Sequence, residues 1–222
     1  MSSSDLIRWS GLAAMVAGAL LAVGAFFDLM YFSPQPMSEV VPTGSFLFQQ
    51  VLYLLGATLL LIGLVGLYAR QSQAAGALGL VGFLIAFAMT VLAAGFFWAG
   101  MFIAPALATE APDFVDAGPP PGLVLTFIGL GVGWLVLGIA TLRAGVYPRR
   151  AAILVIVGAV IVSLPLPFTT IVLSVAVGWL GFHLFMGREA AEARTSPRVS
   201  LSHVAYSPLA TTPAPPFEQA VL

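Results

Sequence analysis

The stretch Ile161-Val162-Ser163-Leu164-Pro165-Leu166-Pro167-Phe168-Thr169-Thr170, IVSLPLPFTT, sits in the middle of an uncharged run from Ala151 to Gly187. Whether that run is one helix or two decides how often the chain crosses an apolar medium, and therefore which side each loop faces. As one helix it would be roughly 55 Å long at 1.5 Å per residue. A bilayer hydrocarbon core is about 30 Å thick, and tilt or kinking does not absorb the excess. Pro165 and Pro167 each lack an N–H, and each disfavours helix in the residue before it. The run therefore predicts two helices, 151–164 and 168–186, joined by a tight corner. The first is short, about 21 Å. It either starts earlier, with Arg149 and Arg150 reaching to the headgroups, or is a half-crossing that turns back inside the protein.

Bulk composition sets the class. Hydrophobic residues make up 60% of the chain and charged residues 8%, and the mean hydropathy is +1.04. Soluble domains carry about 25% charged residues. A transmembrane barrel would show alternating segments of about 10 residues, and none is present. The expected fold is all-α: a polytopic helical membrane protein. Four further apolar segments, 9–32, 46–68, 77–104 and 123–142, bring the expected number of transmembrane helices to six. They form three outward-pointing hairpins with the N- and C-termini cytoplasmic. Residues 1–8 are then a cytoplasmic N-terminus, 9–187 the membrane domain and 188–222 a tail. The first segment also resembles a signal peptide, but its apolar run is longer than the usual signal core of 7–15 residues, so it is expected to stay as a span.

Arginine placement supports this map, because Lys and Arg in short loops prefer the cytoplasm. Six spans put Arg8, Arg70, Arg143, Arg149, Arg150, Arg188, Arg194 and Arg198 inside, which is every basic side chain of this Lys-free sequence. Glu39, Glu110, Asp113 and Asp116 fall in the outer loops. Reading 151–187 as one span would put the last three Arg outside.

The chain has no Cys, Lys or Asn. Lacking Cys, it has no disulfide, thiolate metal site or thioester chemistry; lacking Lys, it has no Schiff base. Codons for Lys and Asn are AT-rich, so a GC-rich bacterial genome is expected, with the chain in the cell's inner (cytoplasmic) membrane. Scattered Arg make no basic patch, so nucleic acid is not an expected partner. From Arg188 onward the sequence is rich in Ser, Thr and Pro, too poor in apolar residues to offset its ordering entropy, and a disordered tail is expected. Such a tail can dock on a partner in extended form, though a solvated tail is the simpler reading. Val132-Gly133-Trp134-Leu135 and Val177-Gly178-Trp179-Leu180 echo one another, each with an Arg nine residues after its Trp. A duplication would give this, and so would the ordinary placing of aromatics and Arg near interfaces.

Helices in lipid associate through small residues that let backbones approach closely. Small residues recur at every fourth position in several spans, a spacing that keeps them on one face. Gly18, Gly82, Ala86, Gly129, Gly133, Ser174 and Gly178 are the expected packing positions, with Ala14, Ala22, Thr90, Ala94 and Thr170 on the same stripes.

Ionisable residues within a span are functional suspects. Asp28 is the main one, about two turns outward of its span's centre, with Gln49 and Gln50 at similar depth and Tyr31 and Tyr53 within reach. Together they would suit a cation or a proton; the simpler reading is an interfacial Asp hydrogen-bonded to the glutamines. His183 is the one His in a span and has no second ligand apart from His203 in the tail, so no metal or haem site is expected. Trp98, Trp134 and Trp179 read as interface or packing aromatics. The zincin, nucleophile-elbow and phosphate-loop motifs are all missing. The expectation is a non-enzymatic protein without cofactors, an accessory, scaffold or assembly subunit. It would work through helix contacts with lipid, with other membrane subunits or with its own copies. The alternative is a small transporter or channel for an ion, proton or solute, using Asp28, Gln49 and Gln50. Its weakness is that Thr58, Thr90, Thr126 and Ser174 are the only polar residues near mid-span.

Overall fold

The computed structural model describes residues 3–30, 35–164 and 169–186. Regular structure among them is entirely helical: α1 Ser3–Met30, α2 Met37–Val40, α3 Gly44–Phe102, α4 Ala104–Glu110, α5 Pro112–Asp116, α6 Pro121–Ala144, α7 Arg149–Val162 and α8 Thr170–Met186. Three apolar stretches are long enough to cross a membrane: Asp5–Asp28, Gly44–Phe102 and Pro112–Ala144; α8 is a shorter apolar helix. Pro165 and Pro167, Tyr31, His203 and the tail from Gly187 lie outside the described residues.

α3 is two rods. At Gly76 the backbone takes φ 57° and ψ −153°, a conformation open essentially to glycine alone. On either side of it, residues pair at a nearly constant sum of positions, 150 or 151. Tyr68 stacks on Phe83 and Tyr53 on Phe97, while the Gln50 carboxamide lies against Gly100. That pattern belongs to an antiparallel hairpin, with arms 44–75 and 77–102. The sequence suggested a polar inner loop after Tyr68. Instead Arg70, Gln71, Ser72 and Gln73 continue the helix, and one glycine makes the reversal.

The same reasoning orders the other rods. Gly63 faces Ala14 and Gly66 faces Ser10, so α1 runs antiparallel to the first arm of α3. Gly82 meets Leu137 and Gly133 meets Ala86, which pairs the second arm with α6. Gly138 meets Val155 and Gly131 meets Ser163, which sets α7 on α6; Gly158 meets Leu173, which sets α8 on α7. Finally Gly11 meets Phe185 and Gly18 meets Ser174 and Gly178, so α8 closes back on α1. Six rods thus form a closed antiparallel ring. Its core holds Leu60, Leu64, Leu67, Trp134, Leu137, Val155, Val177, Leu180 and Leu184. Leu55, Ile62, Leu84, Leu92, Leu125, Val160 and Val175 project outward and are exposed. A ring with an apolar exterior suits lipid, where association rests on close packing.

The packing stripes are spent inside this one chain. A Cβ on Gly18 would stand 2.5 Å from the Ser174 carbonyl oxygen, and one on Gly82 would stand 2.5 Å from the Leu137 nitrogen. Gly133 abuts the Ala86 backbone and Gly129 the Met89 side chain. The two echoing tetrapeptides sit differently: the Trp134 side chain is wholly buried, whereas Trp179 is partly exposed.

The ends of the ring differ in charge. The start of α1, the Gly76 turn, the α6–α7 link and the end of α8 share one end, as Gly66–Ser10, Gly11–Phe185 and the Tyr147 hydroxyl donating to the Leu67 carbonyl show. Arg8, Arg70, Arg143, Arg149 and Arg150 lie there, with Asp5. Burial of Tyr147, opposed by nearby Arg70, pushes its phenol upward from 10.0. At the other end are Glu39, Glu110, Asp113 and Asp116. There Ser38 donates from its N–H at 2.9 Å and its hydroxyl at 2.7 Å to the two oxygens of Asp116, fastening α2 to α5.

Candidate functional site

The α7–α8 hairpin is shorter than its neighbours, and that creates the site. Ser163, just past the end of α7, lies against Gly131 of α6. α6 runs on from there for ten residues to Pro121, about 15 Å of helix. Among the described residues, the wall of the ring is therefore lower on this side at the acid end. A cavity of about 360 Å³ occupies the space, lined by residues of α1, both arms of α3, α6 and both sides of the α7–α8 corner. Met37 and Pro119, both exposed, line it too, so it reaches the surface.

Asp28, Gln49, Gln50 and Tyr53 meet on its wall. The Gln49 amide donates to Oδ1 of Asp28, and also to the Gly24 carbonyl at 3.1 Å. The Tyr53 hydroxyl donates to Oδ2 of Asp28 at 2.7 Å. Gln49 and Tyr53 are four residues apart and so share one face of α3. Gly24 lets them close on α1, since a Cβ there would press on the Tyr53 ring at 3.0 Å. Gln50 is buried against Gly100, which leaves room for its carboxamide. Phe96, Phe97, Phe127, Leu123 and Val124 supply most of the remaining wall, with Ser163, Thr169 and Thr170 opposite.

Below lies a tighter cavity of about 50 Å³ on the axis of the ring. The two share Tyr53, Phe97, Phe127 and Thr170. Trp134 lines the lower one, and its buried indole N–H has no partner among the described residues. Beyond it the arginine end is filled by Leu64, Leu67 and Leu184, all wholly buried. Gln71 and Ser10 are buried at that end as well. Thr58, Thr90, Thr126 and Ser174 each donate to the carbonyl four residues back, on Leu54, Ala86, Gly122 and Thr170, at 2.8, 2.7, 2.7 and 2.7 Å.

His183 stands away from the cavity and accepts a 2.9 Å hydrogen bond from the Trp179 indole N–H. Among the described residues no three His, Asp or Glu side chains gather as a metal site. Sequence reasoning named the carboxylate and both glutamines but missed Phe97, Phe127, Ser163, Thr169 and Thr170. Phe97 is brought in by the Gly76 turn and the others by the packing of α6, α7 and α8; the sequence marked only Thr170, and that as a packing position. Comparison with protein families, curated proteins and solved structures gives no match, so the site rests on its own chemistry.

Proposed function

We propose that this chain is a six-span, non-catalytic integral membrane protein that binds a compact solute in a cavity open to the outer face. The two arms of α3 with α1, α6, α7 and α8 supply six crossings. The arginine end is placed in the cytoplasm by the preference of basic loops for that side. The acid end, with the cavity, then faces outward. The observation that carries the reading is the position of Asp28. A carboxylate, its two hydrogen-bond donors and a buried glutamine line a cavity of about 360 Å³, within the range of about 300–1,000 Å³ usual for ligand pockets.

The cavity is one-sided, which is how an extracellular binding protein looks, or a carrier caught open to the outside. Reaction of a Leu123→Cys variant with a membrane-impermeant maleimide, applied to intact cells, tests it. Labelling from outside is expected; labelling only after the cells are opened would overturn it.

A second reading, the accessory or assembly subunit, is favoured by the closed arginine end and the self-bonded mid-span hydroxyls. Its support from packing stripes has weakened, because those stripes are consumed within the chain. Proton or ion flux into liposomes, compared between wild type and Asp28→Asn, separates it from transport. Equal, leak-level flux in both would argue against a carrier.

A further inference from the structure

We infer that the occupant of the outer cavity is a compact organic ammonium ion, its charged nitrogen on Asp28 and its apolar body against the aromatic wall. The inference rests on the binding reading above and specifies its ligand. Three observations point to this chemistry.

The first is charge. Among the described residues that line the cavity, Asp28 is the one carboxyl and none is Arg. Both carboxylate oxygens are fixed in place, one by Gln49 and one by Tyr53, so the charge points at a defined spot rather than sweeping through solvent. A cation arriving there meets a preorganised acceptor and loses little in ordering it.

The second is the wall. Phe96, Phe97, Phe127 and Tyr53 present rings, and Leu123, Val124 and Leu164 present alkyl groups. Phe97 and Tyr53 are stacked at 4.8 Å beside the carboxylate, each covering one face of the other, and Phe96 and Phe127 add further rings to the wall. Ammonium groups are attracted to aromatic faces, and the attraction strengthens when water is excluded. A hydrated metal ion finds little here. Calcium and magnesium want six or more oxygens, and this wall offers one carboxylate, two carboxamides and a few hydroxyls scattered over different helices.

The third is depth. The outer cavity adjoins the axial one through Tyr53, Phe97, Phe127 and Thr170. Past that neck the lining is apolar and ends at Trp134. A small alkyl group therefore has somewhere to go in its 50 Å³, whereas a second charge does not. The fit is to a monocation with one apolar arm.

Isothermal titration of the purified full chain in nanodiscs tests this, with 2-phenylethylammonium chloride, its neutral isostere 2-phenylethanol and sodium chloride as probes. Binding of the ammonium at least tenfold tighter than the alcohol is expected, with no heat from sodium. Asp28→Asn should bring ammonium affinity down to that of the alcohol and leave the alcohol unchanged. Leu123→Trp, which keeps Asp28 and fills cavity space with a larger side chain, should abolish binding of both. If ammonium and alcohol bind equally in the wild type, or Asp28→Asn leaves their ratio unchanged, the cation assignment is wrong while the cavity reading stands. If neither probe binds the wild type, or Leu123→Trp leaves binding intact, the cavity reading fails with it.

Discussion

The Tyr53 hydroxyl donates a 2.7 Å hydrogen bond to Oδ2 of Asp28, while the Tyr53 ring stacks on Phe97 at 4.8 Å. One side chain thus joins three rods: α1 through the carboxylate, the second arm of α3 through the stack, and the first arm that carries it. Tyr53→Phe removes the bond and keeps the stack. Hydrogen bonds between membrane helices average about 0.6 kcal/mol and reach about 1.7. A loss within that range is expected for Tyr53→Phe, read from denaturant unfolding in mixed micelles. Tyr53→Ala should cost clearly more, because it also leaves a hole beside Phe97. Equal losses would mean the stack contributes nothing.

Glycines provide an internally controlled experiment. Gly82 and Gly95 belong to the same arm of α3. A Cβ on Gly82 would collide with the Leu137 backbone, whereas one on Gly95 would meet nothing within 4 Å. Overpacking a closely packed site costs about 1–3 kcal/mol and more where backbone must yield. Gly82→Leu should therefore lower the unfolding midpoint in detergent by several degrees, and Gly95→Leu should leave it within error or raise it. The reverse order would move the α3–α6 contact to another face.

What the sequence made legible, and what it did not, follows from the range of each signal. Small residues four apart marked the close faces because that spacing is set within one helix. Asp28 stood out because a charge in an apolar run is costly wherever the helix packs. Gln49 and Tyr53 share a face by spacing alone. The partner Phe97 depends on the Gly76 turn, Phe127 on α6 packing against the second arm of α3, and Thr170 on α8 closing against α1; these are contacts between segments that no local pattern encodes. Gly76 was hidden for another reason. Polar residues before it suggested a loop, but Arg70, Gln71 and Gln73 are good helix formers, and a single residue with positive φ was enough to turn the chain.

That turn can be measured directly. Phe48 and Phe102 are both exposed and sit at matching heights on the two arms of α3. A continuous helix would hold them about 80 Å apart, at 1.5 Å per residue. Packed antiparallel helices lie about 8–10 Å apart axis to axis. Spin labels at these positions should report a distance of roughly 10–30 Å, the label arms adding to the axial spacing. Gly76→Ala should destabilise the protein by about 1–3 kcal/mol, because a methyl group is strained at that φ and ψ.

The clamp between the loops at the acid end depends on pH. The Ser38 N–H, then its hydroxyl, hold the Asp116 carboxyl below its ordinary 3.8. A lowered value means that the folded state favours the ionised form. The contribution is complete above about pH 4 and is lost as pH falls through the folded-state value. Protection of the Ser38 amide against hydrogen exchange, corrected for the intrinsic rate, should hold at pH 6 and disappear on acidification below pH 4. Asp116→Ala should lack it at both.

Sidedness is the claim on which the outward cavity depends, and the chain suits its test because it contains no cysteine. Ala74 is exposed two residues before the Gly76 turn, at the arginine end; Ala117 is exposed just after α5, at the acid end. In intact cells an impermeant maleimide should label Ala117→Cys and spare Ala74→Cys, and opening the cells should expose Ala74→Cys. The charge asymmetry drives this outcome, so it can also be pushed. Adding Arg at Glu110 and Asp113 while removing Arg149 and Arg150 should reduce the preference, since orientation follows the difference in basic residues between short loops. Labelling of Ala74→Cys from outside in the unaltered protein would invert the map, and the carboxylate cavity would then open into the cytoplasm.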